Sequence, residues 1–393
     1  MTNSAERRRF GRAERVLHSA AFAGGPMEVL DFLLPLYAGA VLAATPGETG
    51  VLVAVCALAA LVARPLSGSL ADRGNKLVVA AAGAVVQAGS LAGFALGGGL
   101  LPAFAMAALS GIGGALFWVG VRSWVGDRSD GDDGRGFGRL LSFEGTGQLV
   151  AYVLCFTVLE GLGYPAVFAL GAVSSLIAAV LLGSAAGRTE AAAPQTPQQP
   201  APARAVLPFL VICGVTAALE AAMSLLLLLH LQTAHHYGPY AIASALAPGF
   251  IAFILVPSVA HRVVARIGKR QAVMLALLAG ALVTGVLAAA PEPWVLSVVW
   301  IFAAAALGIA IPAEQSAVSE GAGTRRGRRI GHYESAQLAG VTAGSAAIGV
   351  LYQTSGIALS GTALAVALAV TAATVPLAWR SLNSTAAAPD TSG

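Results

Sequence analysis

The feature that most constrains the fold is a series of twelve apolar windows, each long enough to cross a bilayer. A membrane-spanning helix needs roughly 20 mainly apolar residues. Windows this long, without period-two alternation, exclude a β-barrel. The sequence therefore predicts an all-α membrane protein with twelve transmembrane helices, at about 17–42, 48–70, 77–99, 101–124, 140–161, 164–186, 206–231, 239–262, 271–290, 294–317, 333–354 and 357–379.

The overall composition excludes a water-soluble surface. Hydrophobic residues make up 57% of the chain and charged residues only 11%, whereas soluble domains carry roughly 25% charged residues. The first window contains Glu28 and Asp31 and lacks a small-residue cleavage site, so we expect a retained helix rather than a signal peptide. Cys56, Cys155 and Cys213 lie singly in separate windows, which argues against disulfides.

Basic residues predict the orientation. The 23 arginines and lysines lie in or next to alternate connections and the two ends of the chain, and the other six connections have none. Because positive charge concentrates on the cytoplasmic side, the pattern predicts an even number of spans, with both termini cytoplasmic, in the cell (inner) membrane. The same rule explains the basic character of the chain without a nucleic-acid partner.

A Pro-, Gln- and Ala-rich segment divides the windows six and six. It resembles an extended linker rather than a span. The predicted domains are an N-terminal six-helix bundle (1–186), a cytoplasmic linker (187–205), a C-terminal six-helix bundle (206–380) and a disordered C-terminal tail (381–393).

Two basic connections predict an internal repeat. RGFGRLLSFE (135–144) aligns without gaps to RRGRRIGHYE (325–334), which matches Arg139 with Arg329 and Glu144 with Glu334. Chance similarity between two basic loops is the alternative. Repeated halves around a central site are typical of secondary transporters.

The loop after the second window carries a family resemblance. GSLADRGNK (68–76) resembles the signature loop of the major facilitator superfamily, and HRVVARIGKR (261–270) resembles a degenerate second copy. The resemblance implies two pseudo-symmetric six-helix bundles, alternating access and a monomer, and it is strongest to drug and metabolite exporters. Two features depart from the proton-coupled pattern: no arginine lies near Ala107 in the fourth window, and no Gly-Pro pair lies near Ala151 in the fifth.

The resemblance assigns cytoplasmic gating to the signature loop. Gly68 would allow close packing of helix two, Asp72 would accept hydrogen bonds or face a helix N-terminus, and Arg73 and Lys76 would pair across the bundle. Interfacial charges that merely obey the positive-inside rule are the alternative. We assign the same gating role to the repeat residues Arg139, Glu144, Arg329 and Glu334, and expect Glu314 to join them near the cytoplasmic ends.

Three acidic residues predict the central cavity. Glu28 and Asp31 are three residues apart and so share a helical face, and Glu220 lies at a comparable depth in the seventh window. An ionised side chain at the bilayer centre costs roughly 2.5 to 3.5 kcal/mol, so we expect these acids to face the cavity. A structural hydrogen-bonded acid is the alternative for each of them. Trp118 is a candidate aromatic wall, with a packing role as the alternative.

These acids suit either proton coupling or recognition of a cationic solute, since low dielectric and like-charged neighbours favour the neutral form of a carboxyl. We expect proton-coupled efflux of a small organic solute. The alternatives are uptake of a metabolite or organic cation, and a membrane sensor without transport.

The sequence contains no motif typical of an ATP-driven protein, a hydrolase or a zinc enzyme. The sequence shows no phosphate-binding loop, nucleophile elbow or zinc-binding helix motif. We therefore expect no enzyme activity, no catalytic residue, no cofactor and no metal. The histidines at 230, 235 and 236 are expected to be solvated at the interface, because a metal site would need more ligands.

Overall fold

The computed structural model describes residues 2–126, 133–186, 207–290, 292–320 and 326–386. Every regular element in these ranges is an α-helix. They are α1 (Thr2–Ala40), α2 (Pro46–Arg73), α3 (Lys76–Leu96), α4 (Leu100–Gly126), α5 (Asp133–Ala185), α6 (Leu207–Thr233), α7 (Pro239–Ile267), α8 (Lys269–Ala288), α9 (Pro293–Glu320) and α10 (Arg326–Ala386).

The helices confirm a helical multi-pass membrane protein. Within the described residues, eight helical segments are long and apolar enough to cross a membrane. They overlap ten of the twelve windows; the first window, in the charged α1, and the eighth, in α7, lie outside them. The count of twelve spans therefore stays a prediction.

Two of the eight segments are too long for one crossing. Ser142–Ala185 has 44 residues and His332–Arg380 has 49, which as straight helices would measure roughly 66 and 74 Å. A glycine with positive φ breaks each helix: Gly163 in α5 (φ 75°, ψ −178°) and Gly356 in α10 (φ 69°, ψ −172°). Such backbone is essentially restricted to glycine. Each break falls between two predicted windows.

The two limbs of α5 run in opposite directions along α1. On the first limb Gly147 packs against Ala21, and further along Phe156 packs on Phe32 with ring centroids 5.8 Å apart. Residue numbers increase in the same direction along both helices, so this limb is parallel to α1.

The second limb of α5 is antiparallel to α1. Arg12 donates a hydrogen bond to the carbonyl of Ala185, whereas Tyr37, at the other end of α1, packs on Phe168 with centroids 5.1 Å apart. The break at Gly163 therefore closes a helical hairpin that flanks α1 on two sides.

α6 and α10 repeat this arrangement. On the first limb of α10, Gly340 packs against Gly214 and Tyr352 hydrogen-bonds His230, so the limb runs parallel to α6. The second limb starts beyond Gly356 and ends near the start of α6, where Trp379 packs on Phe209 with centroids 5.2 Å apart.

The chain divides into two compact units: Met1–Ala43 with Val55–Pro197, and Ala44–Ala54 with Gln198–Gly393. The start of α2 thus groups with the second unit, where the backbone N–H of Gly47 donates to the side-chain oxygen of Gln353 at 2.9 Å. α10 extends to Ala386, six residues into the segment predicted as a disordered tail. Residues 381–386 contain neither glycine nor proline, so nothing in them interrupts the helix.

The repeat has a different register from the ungapped loop alignment. Gly163 and Gly356 are 193 positions apart, as are the packed glycines Gly147 and Gly340, whereas the loop alignment uses an offset of 190. In the structural register Glu144 corresponds to Gln337 rather than to Glu334.

Candidate functional site

The first unit places the predicted α1 acids beside α2, α4 and α5. Glu28 is half-buried, and Asp31 is exposed although it lies between the buried Leu30 and Phe32. Asp31 is close enough to interact electrostatically with Glu28, with Cys56 of α2 and with Tyr152 of α5. The side chain therefore borders open space on the side of the helix that faces α2 and α5.

Glu28 has polar partners from α5. The side chain of Gln148 hydrogen-bonds its carboxylate, and the hydroxyl of Tyr152 donates to its backbone carbonyl at 3.3 Å. These contacts fix the α1 backbone against the first limb of α5 at the depth of the acid pair.

Arg122 of α4 joins the acids to the predicted aromatic wall. Its guanidinium lies 4.9 Å from the ring centroid of Trp118, within cation–π range. Arg122 also forms an ion pair with Glu144 at 3.9 Å and interacts electrostatically with Glu28. We call Glu28, Asp31, Trp118, Arg122 and Glu144 the α1 cluster.

Gly24 of α1, which has no side chain, leaves space for this arrangement. A Cβ at Gly24 would lie 3.0 Å from the Trp118 ring and 3.9 Å from the side chain of Glu144. Trp118 is therefore seated against α1 one turn from Glu28, and two carboxylates of the cluster, Glu28 and Glu144, interact with one guanidinium.

The second unit contains a small cavity at Glu220, with a mainly apolar lining. Its volume is about 30 Å³, and a water needs roughly 10 to 15 Å³ measured in this way. Glu220 and Glu314 both line it, with Thr216, Met223 and Gln337. Among its described lining residues, none is basic.

Glu314 is the most buried acid of this cavity, with 3% of its surface exposed. It accepts a hydrogen bond from the hydroxyl of Thr216 at 3.1 Å and has further side-chain hydrogen bonds with Cys213 and Tyr333. Gln337 in turn donates to the hydroxyl of Tyr333 at 2.7 Å. We call Thr216, Glu220, Glu314, Tyr333 and Gln337 the α6 cluster.

Much of both clusters was not predicted from the sequence. Glu144 and Glu314 were expected in an arginine-rich cytoplasmic gating network; Glu144 does pair with Arg122, and Glu314 belongs to the α6 cluster. Their gating role stays a prediction. The spacing of Trp118 and Arg122, four residues apart on one helical face, was a usable signal. Tyr333 and Gln337 carry no comparable signal in one sequence.

The signature loop differs in detail from its predicted geometry. Within the described residues a Cβ at Gly68 would meet no atom within 4 Å, so the close packing expected there is absent. Asp72 and Arg73 are exposed, and Lys76 opens α3. The N-terminus of α3 is capped by Asn75, whose side chain accepts from the backbone N–H of Leu77 at 3.0 Å, rather than by Asp72.

The remaining gating residues are dispersed. Arg139 forms an exposed ion pair with Glu14 of α1 at 3.5 Å. Glu334 is half-buried near the start of α10. Arg329 belongs to α10 but lies outside the residues whose side chains the structure describes. Gating by these residues stays a prediction.

The histidines at and after the end of α6 differ from the expected solvated set. His230 is buried and His235 is half-buried, and only His236 is exposed. Within the described ranges, no group of three or more His, Cys, Asp or Glu residues is arranged to hold a metal ion.

Comparison with known proteins agrees with this fold. Two helical units with matching hairpins, built largely from helices long and apolar enough to cross a membrane, define a multi-pass membrane protein with an internal repeat. The family profile described as Major Facilitator Superfamily matches residues 16–259 and 209–392. The chain therefore belongs to the major facilitator superfamily.

Solved structures of two transporters share the fold. A mutant form of the nucleoside transporter NupG superimposes with a TM-score of 0.74 at 14% identity, over 94% of this chain and 99% of that one. The peptide transporter POT in complex with sulfate gives a TM-score of 0.72 at 18% identity, over 95% of both chains. No curated protein sequence matches the chain.

Proposed function

We propose that this secondary transporter exports a small organic solute in exchange for protons across the cell (inner) membrane. The observation that carries the proposal is the pairing of Glu220 with Glu314 in one cavity that has no basic residue among its described lining. Two ionised carboxylates at this depth would be costly without a cation. A bound proton removes that cost, so the α6 cluster suits proton exchange.

The size of the cavity suits the binding of protons rather than of the solute. At about 30 Å³ it has room for one or two waters and none for an organic molecule. Water and the hydroxyls of Thr216 and Tyr333 can relay protons to Glu314. We assign proton binding to the α6 cluster.

The α1 cluster suits solute contact. Asp31 is exposed and Trp118 is half-buried, so both can be reached from open space. Carboxylates beside an aromatic ring favour a solute with a positively charged or hydrogen-bonding group. Protonation of Glu28 or Asp31 would compete with such a solute, which couples the two binding events. The signature loop and its neighbours would then gate the cytoplasmic end, as predicted.

The direction of transport rests on the resemblance of the signature loop to that of drug and metabolite exporters. Everted membrane vesicles test direction and coupling together. A pH gradient is imposed with the vesicle interior acidic. Organic amines and neutral metabolites are then added one at a time, and an acridine dye reports proton efflux from the vesicles. We expect at least one solute to dissipate the gradient in wild type, and a loss of at least tenfold in Asp31→Asn and Glu220→Gln.

Glu160→Gln is the matched control, because Glu160 is an exposed acid of α5 outside both clusters. Solute entry that occurs only with the gradient reversed would favour uptake. Unchanged proton efflux in both cluster variants would remove these acids from coupling. No response to any solute would favour the sensor alternative.

A further inference from the structure

Two histidines at the end of α6 lie face to edge with their ring centroids 5.2 Å apart. His230 belongs to the last turn of α6, and His235 to the connection that follows it. Neither is used by the proposed transport mechanism, and their arrangement requires a separate explanation.

The buried ring of His230 has one unpartnered nitrogen. The residue is 4% exposed, and its Nε2 atom has no hydrogen-bond partner among the described residues. The Nε2 atom of His235 is likewise buried and unpartnered in the described part of the chain. A buried nitrogen without a partner is costly, so each of these two atoms needs a partner, which a bound water or a metal ion can supply.

A chain of hydrogen bonds determines the tautomer of His230. The hydroxyl of Thr233 donates to the carbonyl of Leu229 at 2.7 Å, and this carbonyl can only accept. Thr233 must therefore accept from the hydroxyl of Tyr352, 2.8 Å away. The oxygen of Tyr352 is then left to accept from Nδ1–H of His230 at 3.2 Å.

This proton order leaves a lone pair on Nε2 of His230. A neutral imidazole that donates through Nδ1 has an unprotonated Nε2 atom, which is the form that binds metals. Metal-binding histidines commonly donate their other N–H to an oxygen in this manner, which fixes the ring orientation. Tyr352 of α10 and Thr233 of α6 provide that support here.

The ring separation permits a shared ion. Two imidazoles bound through nitrogen to one tetrahedral Zn²⁺, at roughly 2.0 to 2.1 Å per bond, have centroids roughly 5 Å apart. The observed separation is 5.2 Å. Imidazole ligands suit zinc, copper and nickel rather than calcium or magnesium.

We propose that His230 and His235 form a binding site for a divalent transition-metal ion of the zinc type, with water in the remaining coordination positions. Occupancy would tie the connection after α6 to the α6–α10 pair. It would therefore stabilise the folded protein by an amount that grows with the logarithm of the free metal concentration above Kd.

The test is calorimetric titration of zinc chloride into the full chain, purified in detergent without a polyhistidine tag, together with thermal unfolding in zinc and in EDTA. We expect one saturable equivalent of zinc per chain and an unfolding temperature that rises with zinc and falls back with EDTA. His230→Ala and His235→Ala should each lose the equivalent. His236→Ala, which changes the exposed neighbour, should retain it.

Tyr352→Phe separates a ligand role from a structural one. It keeps both imidazoles but removes the acceptor for Nδ1–H, so zinc affinity should fall roughly 10- to 100-fold, with the stoichiometry unchanged. If His230→Ala does not fold, His235→Ala and Tyr352→Phe decide the question. An absence of saturable zinc binding in wild type, or undiminished binding in His235→Ala, would overturn the proposal.

Discussion

Among single residues, Glu314 has the environment that bears most directly on the mechanism. It is almost fully enclosed, it accepts from Thr216, and it shares its cavity with Glu220 and no basic side chain among the described lining. A permanently ionised carboxylate would be poorly stabilised in this enclosed site. The site suits a carboxyl group that gains and loses a proton.

Glu314→Gln tests this interpretation through stability. The amide oxygen can still accept from Thr216, and the variant no longer has to bury a charge. We therefore expect its unfolding temperature in detergent to equal or exceed that of wild type. Glu314→Leu leaves the hydroxyl of Tyr333 without its acceptor, whereas Thr216 keeps the carbonyl of Cys213 at 2.9 Å. This variant should lower the free energy of unfolding by about 1 to 3 kcal/mol. A clear drop in Glu314→Gln would mean that the ionised carboxylate is structural.

Single residues also show where sequence reasoning reaches its limit. Glu28, Asp31 and Glu220 were found as candidates because an acid in an apolar window is conspicuous. Glu144 and Glu314 were assigned to the cytoplasmic ends from their position in the sequence, which does not identify the side chains that they contact. Which helix each acid faces depends on packing against α4, α6 and α10, and one sequence does not contain that information.

At the scale of elements, hydropathy predicted the helices well. The windows match the observed helices to within a few residues at their ends, and the breaks at Gly163 and Gly356 coincide with two predicted window boundaries. The register of the repeat was wrong by three residues in the basic connections. Charged loop residues match one another easily by chance, whereas glycines at helix contacts are fixed by geometry.

Those glycine contacts yield a prediction for helix packing. A Cβ at Gly147 would collide with the backbone carbonyl of Ala21, whereas a Cβ at Gly145, two residues earlier on the same limb, would meet no described atom within 4 Å. Because the obstacle is backbone, α1 and α5 must move apart to admit a methyl group.

We expect Gly147→Ala to lower the free energy of unfolding by about 1 to 3 kcal/mol and Gly145→Ala to leave it nearly unchanged. Thermal unfolding of the two variants, purified in the same detergent, measures the difference. Equal unfolding temperatures would show that the α1–α5 contact is looser than described.

At the scale of the whole molecule, the family and the fold followed from a few features. The signature loop and the six-plus-six division of the windows pointed to the major facilitator superfamily, and the family profile and solved transporters confirm it. Solute, direction and coupling ion did not follow, because they depend on a few side chains and on cavity shape. The cytoplasmic location of both termini stays a prediction from the basic residues.

The most direct test of proton coupling compares two fluxes of one solute in proteoliposomes. One is driven by a pH gradient, and the other is counterflow, which exchanges labelled for unlabelled solute without a gradient. We predict that Glu220→Gln and Glu314→Gln retain counterflow within about twofold of wild type and lose the gradient-driven flux by at least tenfold. Gradient-driven flux that survives in both variants, at the wild-type ratio to counterflow, would contradict the assignment of the proton site to the α6 cluster.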